Sequence, residues 1–136
     1  MTKQLNINPL ALVAFKQRVG DEDADLIALP VLAWFDAAKR GLCTATGCNH
    51  LTTHLIIASY LAARTKSKKF HDIVTAGYAA LAKAAARPTD LLDLTTKEYA
   101  TLRLAIGWYV RALPLVEVSA LNEACCVAEK AMCQPA

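Results

Sequence analysis

Residues 50–88 read HLTTHLIIASYLAARTKSKKFHDIVTAGYAALAKAAARP. Two hydrophobic patterns of helical period fill this stretch, divided by Thr65-Lys66-Ser67 and stopped by Arg87-Pro88. In the first, from about His50 to Arg64, Leu51, Leu55, Ala58 and Ala62 make one stripe, while Ile56, Ile57, Tyr60 and Leu61 cover other faces. A helix apolar on several sides belongs at the centre of a bundle. In the second, to about Ala86, Phe70, Val74, Gly77 and Leu81 form a single stripe, and Gly77 in its middle predicts a close approach by another helix. Nothing here alternates with the period of two that marks a half-buried strand.

The same punctuation extends in both directions. Asn8-Pro9 has the form of a helix start, with Asn as cap and Pro in the first helical position. That short helix ends before Gly20. Asp21-Glu22-Asp23 opens the next helical region, where carboxylates favour the positive end of the helix. Pro30 then predicts either a kink or a fresh start. Ile27, Val31, Trp34 and Ala38 share a face, Gly41 ends the run, and residues 42–49 are expected to form a loop. Downstream, residues 89–94 read as a loop or single turn, and Thr95 and Glu98 have capping-box spacing. Leu102, Ile106, Tyr109 and Leu113 line one side of the following helix, which Pro114 ends. The final helix is expected to turn Leu121, Cys125, Ala128 and Met132 inward and to pair with its predecessor as an antiparallel hairpin.

The expected fold is therefore all-α: one domain over residues 1–136, a compact bundle of five to six helices, with residues 1–7 and 133–136 frayed. Hydrophobic residues make up 55% of the chain, but much of that is alanine, which favours close helix packing over large apolar area. No apolar run reaches the length of a membrane span. The first residues, Met-Thr-Lys-Gln-Leu-Asn, lack the apolar core of a signal peptide, so a cytoplasmic location is expected. Five cysteines, Cys43, Cys48, Cys125, Cys126 and Cys133, are an odd number, and two are adjacent on a predicted helix. Reduced thiols acting as small hydrophobes fit better than a disulfide framework, and Cys125 is expected to face the core.

Net charge is +3, unevenly spread. Residues 37–88 carry eight basic and one acidic side chain, flanked by segments that are each net −2. Such asymmetry points to an acidic or polyanionic partner. Arg64, Lys66, Lys68 and Lys69 concentrate it. Arg64 and Lys66 suit the end of their helix. Lys68 and Lys69 begin the next helix, where positive charge opposes the dipole. The helix that follows offers Thr75, Ala76, Tyr78 and Ala79 outward, a poor set for reading bases. The cluster is expected to meet a phosphate or an acidic protein; toward nucleic acid it predicts only weak, sequence-independent binding. On the later helix, Leu104, Trp108 and Arg111 lie opposite the main stripe. Trp and Arg are enriched at interface hot spots. Trp108 is expected either to be buried by a second helix layer or to serve a partner or a second copy of the chain.

Catalytic chemistry finds little support. Cys43, Cys48, His50 and His54 offer zinc-type donors, but without paired CxxC spacing. There is no phosphate-binding loop, dinucleotide fingerprint or nucleophile motif. No metal, cofactor or catalytic residue is expected.

Asn8-Pro9, Lys39-Arg40-Gly41 with Thr44-Ala45-Thr46, Asp72-Ile73-Val74 with Ala76-Gly77, Lys97-Glu98, and Val116-Glu117-Val118-Ser119 span most of the chain. Together they resemble small helical accessory proteins of phages, prophages and plasmids of proteobacteria, a largely uncharacterised group. The resemblance implies no catalytic residues. It implies an accessory protein of a mobile element, and some such proteins block host defences by binding a protein complex. The expected function is thus a non-enzymatic protein that docks on a host or defence complex through Arg64, Lys66, Lys68, Lys69, Leu104, Trp108 and Arg111. The alternatives are a nucleic-acid-associated regulator using residues 37–88, and a metal-dependent sensor or enzyme built on the Cys/His cluster.

Overall fold

In a computed structural model, the chain is described over residues 17–133. Five helices follow one another: α1 (Gly20–Lys39), α2 (Ala45–Thr65), α3 (Lys68–Ala85), α4 (Thr96–Ala112) and α5 (Val118–Cys133). A short 3-10 turn, Leu113–Leu115, joins α4 to α5. No strand forms among the described residues; Arg18 and Glu117 make one isolated antiparallel bridge. The fold is all-α, and no described helix is long and apolar enough to cross a membrane. The helix expected from Asn8-Pro9 and the terminal residues 1–7 and 134–136 lie outside the described residues.

The central helix is α2, which packs against all four others. Its buried residues Leu51, Leu55, Ile57, Ala58, Leu61 and Ala62 cover more than one face, as the sequence pattern required. It begins earlier than expected. Thr44 caps it by accepting a hydrogen bond from the Gly47 N–H, so part of the expected loop is helical. Trp34 of α1 lies flat against Gly47 there; a Cβ on that glycine would fall 2.2 Å from the Trp34 ring.

Pro30 neither breaks nor restarts α1, which is continuous around it. Pro30 is exposed, so the hydrogen bond it cannot donate is lost on the solvent side. The inward face is Ala24, Ala28, Val31, Phe35 and Ala38. Phe35 stacks on Tyr99 of α4, ring centres 5.1 Å apart and nearly parallel.

The most intimate pair is α3 with α4. Gly77 makes it possible: a Cβ there would sit 2.3 Å from the Cβ of Ala105. Phe70, Val74 and Leu81 of α3 and Leu102, Ile106 and Tyr109 of α4 are buried as well.

Two departures from expectation concern α5. It packs on α2, and its backbone does not lie against α4, so the antiparallel hairpin of the last two helices is not the arrangement formed. The 3-10 turn redirects the chain before α5 starts. Its inward face is Ala120, Ala124 and Ala128, with Leu121 partly buried. Cys125 and Met132, expected inside, are exposed. A stripe of alanines lets two helix backbones come close, and that closeness outweighs the larger side chains one position away.

Two polar contacts fix the interior. Glu98 and Thr95 form a reciprocal capping box at the start of α4. Glu98 is buried and also receives Arg87 on both carboxylate oxygens, one contact being 2.9 Å, while Arg87 donates in addition to the Asp93 carbonyl. This clamp holds residues 87–95 against α4. The Arg87 guanidinium and the Thr95 backbone N–H hold the Glu98 carboxyl down at about 2, against an ordinary 4.5. Deeper in, His54 Nδ1 lies 2.7 Å from the Tyr109 hydroxyl. Burial, helped by the neighbouring His50 imidazole, lowers the His54 pKa from 6.5 to about 4.

Both groups make the fold acid-sensitive, in successive windows. Unfolded His54 binds a proton more readily than folded His54, so its contribution is complete above pH 6.5 and drains away as pH falls toward 4. Folded Glu98 resists protonation; its contribution is complete above 4.5 and is lost as pH falls through 2. Denaturant midpoints measured from pH 7 to pH 2 should fall in both ranges. In Glu98→Gln the lower step should vanish, with ~1.5–3 kcal/mol lost at neutral pH. A midpoint independent of pH below 4 in the parent protein would contradict the role given to Glu98.

Candidate interaction groove

Where α2 ends and α3 begins, the chain turns sharply. Lys66 adopts a left-handed conformation, φ 59°, and Ser67 caps α3 by accepting from the Phe70 N–H. This corner faces the end of α4 and the 3-10 turn. Between them lies a groove of about 580 Å³, whose lining is mainly apolar: Leu61, Phe70, Trp108, Leu115, Val116 and Ala120. Arg64, Arg111 and Glu117 add charge to its walls.

Trp108 shapes the groove. It is half-buried, packed against Phe70 with ring centres 5.9 Å apart. Two cations stack on it: Lys69 Nζ lies 5.7 Å from the ring centre and the Arg111 guanidinium 5.8 Å. Such pairs are attractive through the ring quadrupole. Neither cation meets a carboxylate within salt-bridge distance among the described residues; Arg111 donates only to the Gly107 carbonyl of its own helix. Arg64 differs. Its guanidinium lies 2.5 Å from Glu123 of α5, and the Tyr60 hydroxyl donates to the same carboxylate at 2.8 Å. The pair is half-exposed and contributes little stability, but it fixes where the Arg64 charge sits.

The sequence-predicted residues thus separate into groups. Arg64, Trp108 and Arg111 line one groove, with Lys69 on its tryptophan. Lys66 and Lys68 border a different, shallow depression beside His71. Leu104 is exposed and belongs to a third hollow with Tyr99 and Arg103, which Arg111 also reaches. Trp108 packs one side of its ring against Phe70 and also lines the groove. Leu61 and Phe70 were read from sequence as packing residues only, and Leu115 was not singled out. Leu115, directly after Pro114 and unmatched to any stripe, carried the one available signal.

The Cys/His cluster takes a different form. Cys43 is fully buried, and burial raises the thiol pKa of both Cys43 and Cys48. Protonated thiols are poor nucleophiles and poor ligands. His54 is engaged with Tyr109, and His50 stacks obliquely on His54 at 4.6 Å. Among the described residues no group of three or more His, Cys, Asp or Glu side chains is arranged to hold a metal ion. Compared with protein-family profiles, with curated proteins and with solved structures, the chain matches none.

Proposed function

We propose that this is a non-enzymatic binding protein whose groove at Trp108 receives an acidic, apolar segment of a macromolecular partner. One observation carries this reading: Lys69 and Arg111 flank a half-exposed tryptophan at the mouth of an apolar groove and meet no carboxylate of their own among the described residues. Aromatic and arginine anchors around a pocket are the usual make-up of an interface hot spot. A partner that buries leucine-type side chains and offers carboxylates would satisfy both parts. The resemblance to mobile-element accessory proteins supports a host or defence complex as that partner.

Affinity capture from host lysate, followed by titration of the captured protein, tests the proposal. Trp108→Ala should weaken binding at least thirtyfold, about 2 kcal/mol. The Lys69→Glu, Arg111→Glu pair should abolish it, with an unchanged circular dichroism spectrum. Undiminished binding by both variants would overturn the proposal. Nucleic-acid binding is the competing use of residues 37–88. It would show as affinity falling steeply with salt through counterion release, and as loss in Lys66→Glu, Lys68→Glu, which leaves the groove intact. The expected result is weak binding at low salt that disappears near physiological salt.

A further inference from the structure

On the outer face of α1, Glu22, Leu26, Leu29, Ala33 and Asp36 recur at alternating spacings of four and three, and all are exposed. Leu26 is 63% accessible and Leu29 61%; Leu32, beside them, is 42% accessible. Asp25 lies on the same side and is exposed. A helix that buries Ala24, Ala28 and Val31 inward while holding three leucines outward has two apolar faces, and only one is used within the described residues. Scattered exposed leucines need no explanation, but a continuous stripe of them at helical period does.

This stripe has the chemistry that the groove lacks. Its leucines match the apolar lining formed by Leu61, Phe70, Trp108 and Leu115. Its carboxylates, Glu22, Asp25 and Asp36, match Lys69 and Arg111; Asp36 is shared at 2.8 Å with Arg40, just past the end of the helix. Against this, Glu117 is a carboxylate on the groove wall itself.

Placement supports the same pairing. The Val19 N–H donates to the Val116 carbonyl at 2.8 Å, and the Val118 N–H donates to the Gln17 carbonyl at 2.9 Å. The start of α1 is thereby tied to the groove edge, and one molecule carries both patches. An interface with two-fold symmetry needs this, because each copy must present both complementary patches to the other. A stripe with i, i+3 and i+7 anchors is also the form in which a helix enters an apolar groove.

Resting on the reading of the groove as a docking surface for apolar, acidic segments, we propose that a second copy of this chain covers it: the outer face of α1, centred on Leu26 and Leu29, docks in the Trp108 groove of its partner, and reciprocally. The free protein is then a reversible homodimer, and a target that enters the groove competes with self-association.

Sedimentation velocity on the full chain, over a range of loading concentrations at low and physiological salt, tests this. The average mass should move from one chain toward two with rising concentration, more readily at low salt. Asp25→Arg and Arg111→Glu should each weaken association at least tenfold, and the chain carrying both changes should regain most of it. Leu29→Glu should leave a monomer. A chain that is monomeric at every concentration would overturn the proposal, as would a double variant no better than the single ones. Association that survives Leu29→Glu but fails in Arg111→Glu would assign the groove to another segment of the second copy, against α1. Asp25 and Leu29 lie outside the groove, so their variants should keep binding the captured partner. A parent protein that is always monomeric yet still binds that partner through Trp108 refutes the dimer alone.

Discussion

Tyr109→Ala is expected to lower stability by ~3–5 kcal/mol, a large share of the 5–15 kcal/mol typical of a single domain. Among the described residues Tyr109 is the largest fully buried side chain, set in α4 with none of its surface accessible. Its removal leaves a cavity between α4 and α2, and also strands His54, whose Nδ1 has the Tyr109 hydroxyl as its partner. Tyr109→Phe separates the two terms. It keeps the ring and loses the hydroxyl, so it should cost ~1–3 kcal/mol, the penalty for a buried polar group left without its partner. Equilibrium unfolding in urea provides the measurement. Equal losses in the two variants would mean that packing of the ring contributes nothing, contrary to its burial.

The second large effect belongs to Gly77. Substituting alanine for glycine inside a helix normally stabilises by about 1 kcal/mol through propensity. Here the sign should reverse. The added Cβ would lie 2.3 Å from the Cβ of Ala105, far inside van der Waals contact, with each atom bonded directly to a helix backbone and unable to swing aside. Relieving the overlap means parting α3 from α4, so Gly77→Ala should cost ~1–3 kcal/mol and Gly77→Leu more. Ala105→Gly in the same chain should recover much of the loss, because it removes the other half of the clash. A double-mutant cycle gives the coupling directly, and a coupling near zero would place the clash elsewhere.

These two residues were legible in the sequence for different reasons. Gly77 interrupted an apolar stripe, and Tyr109 continued one; both signals are periodic, and period carries directly into which face is buried. Thr95 and Glu98 were legible because a capping box is local. Where outcomes depended on distant chain, the pattern ran out. On α5 the stripe Leu121–Cys125–Ala128–Met132 is more hydrophobic than Ala120–Ala124–Ala128, yet the alanines face inward because α2 comes close enough to need small residues. Pro30 could not be resolved between kink and restart, since that depends on whether its side of the helix meets solvent. The groove draws Arg64, Phe70, Trp108 and Leu115 from three helices and a turn. Trp108 and Arg111 could be named as a pair from one helix face. Lys69 could be named as a charge, but its place on the Trp108 ring is set by the close seam of α3 and α4. The stripe of Leu26, Leu29 and Leu32 was invisible as a surface, because leucines at helical period ordinarily indicate the buried side.

The pairing of α2 with α5 has a consequence for how the chain is made. Helices α3 and α4 are neighbours in sequence and can close on each other as soon as both have been synthesised, as can α2 with α3. The α2 surface that meets Ala120, Ala124 and Ala128 has no such local partner. It must wait for the whole of the α3–α4 segment to be translated, about 3–10 s at roughly 5–20 residues per second. During that interval the ribosome holds a nascent chain with the central helix half bare. Helix α5 closes this surface of α2, and the interval before it arrives is when that face of the growing chain is most open to chaperones and proteases.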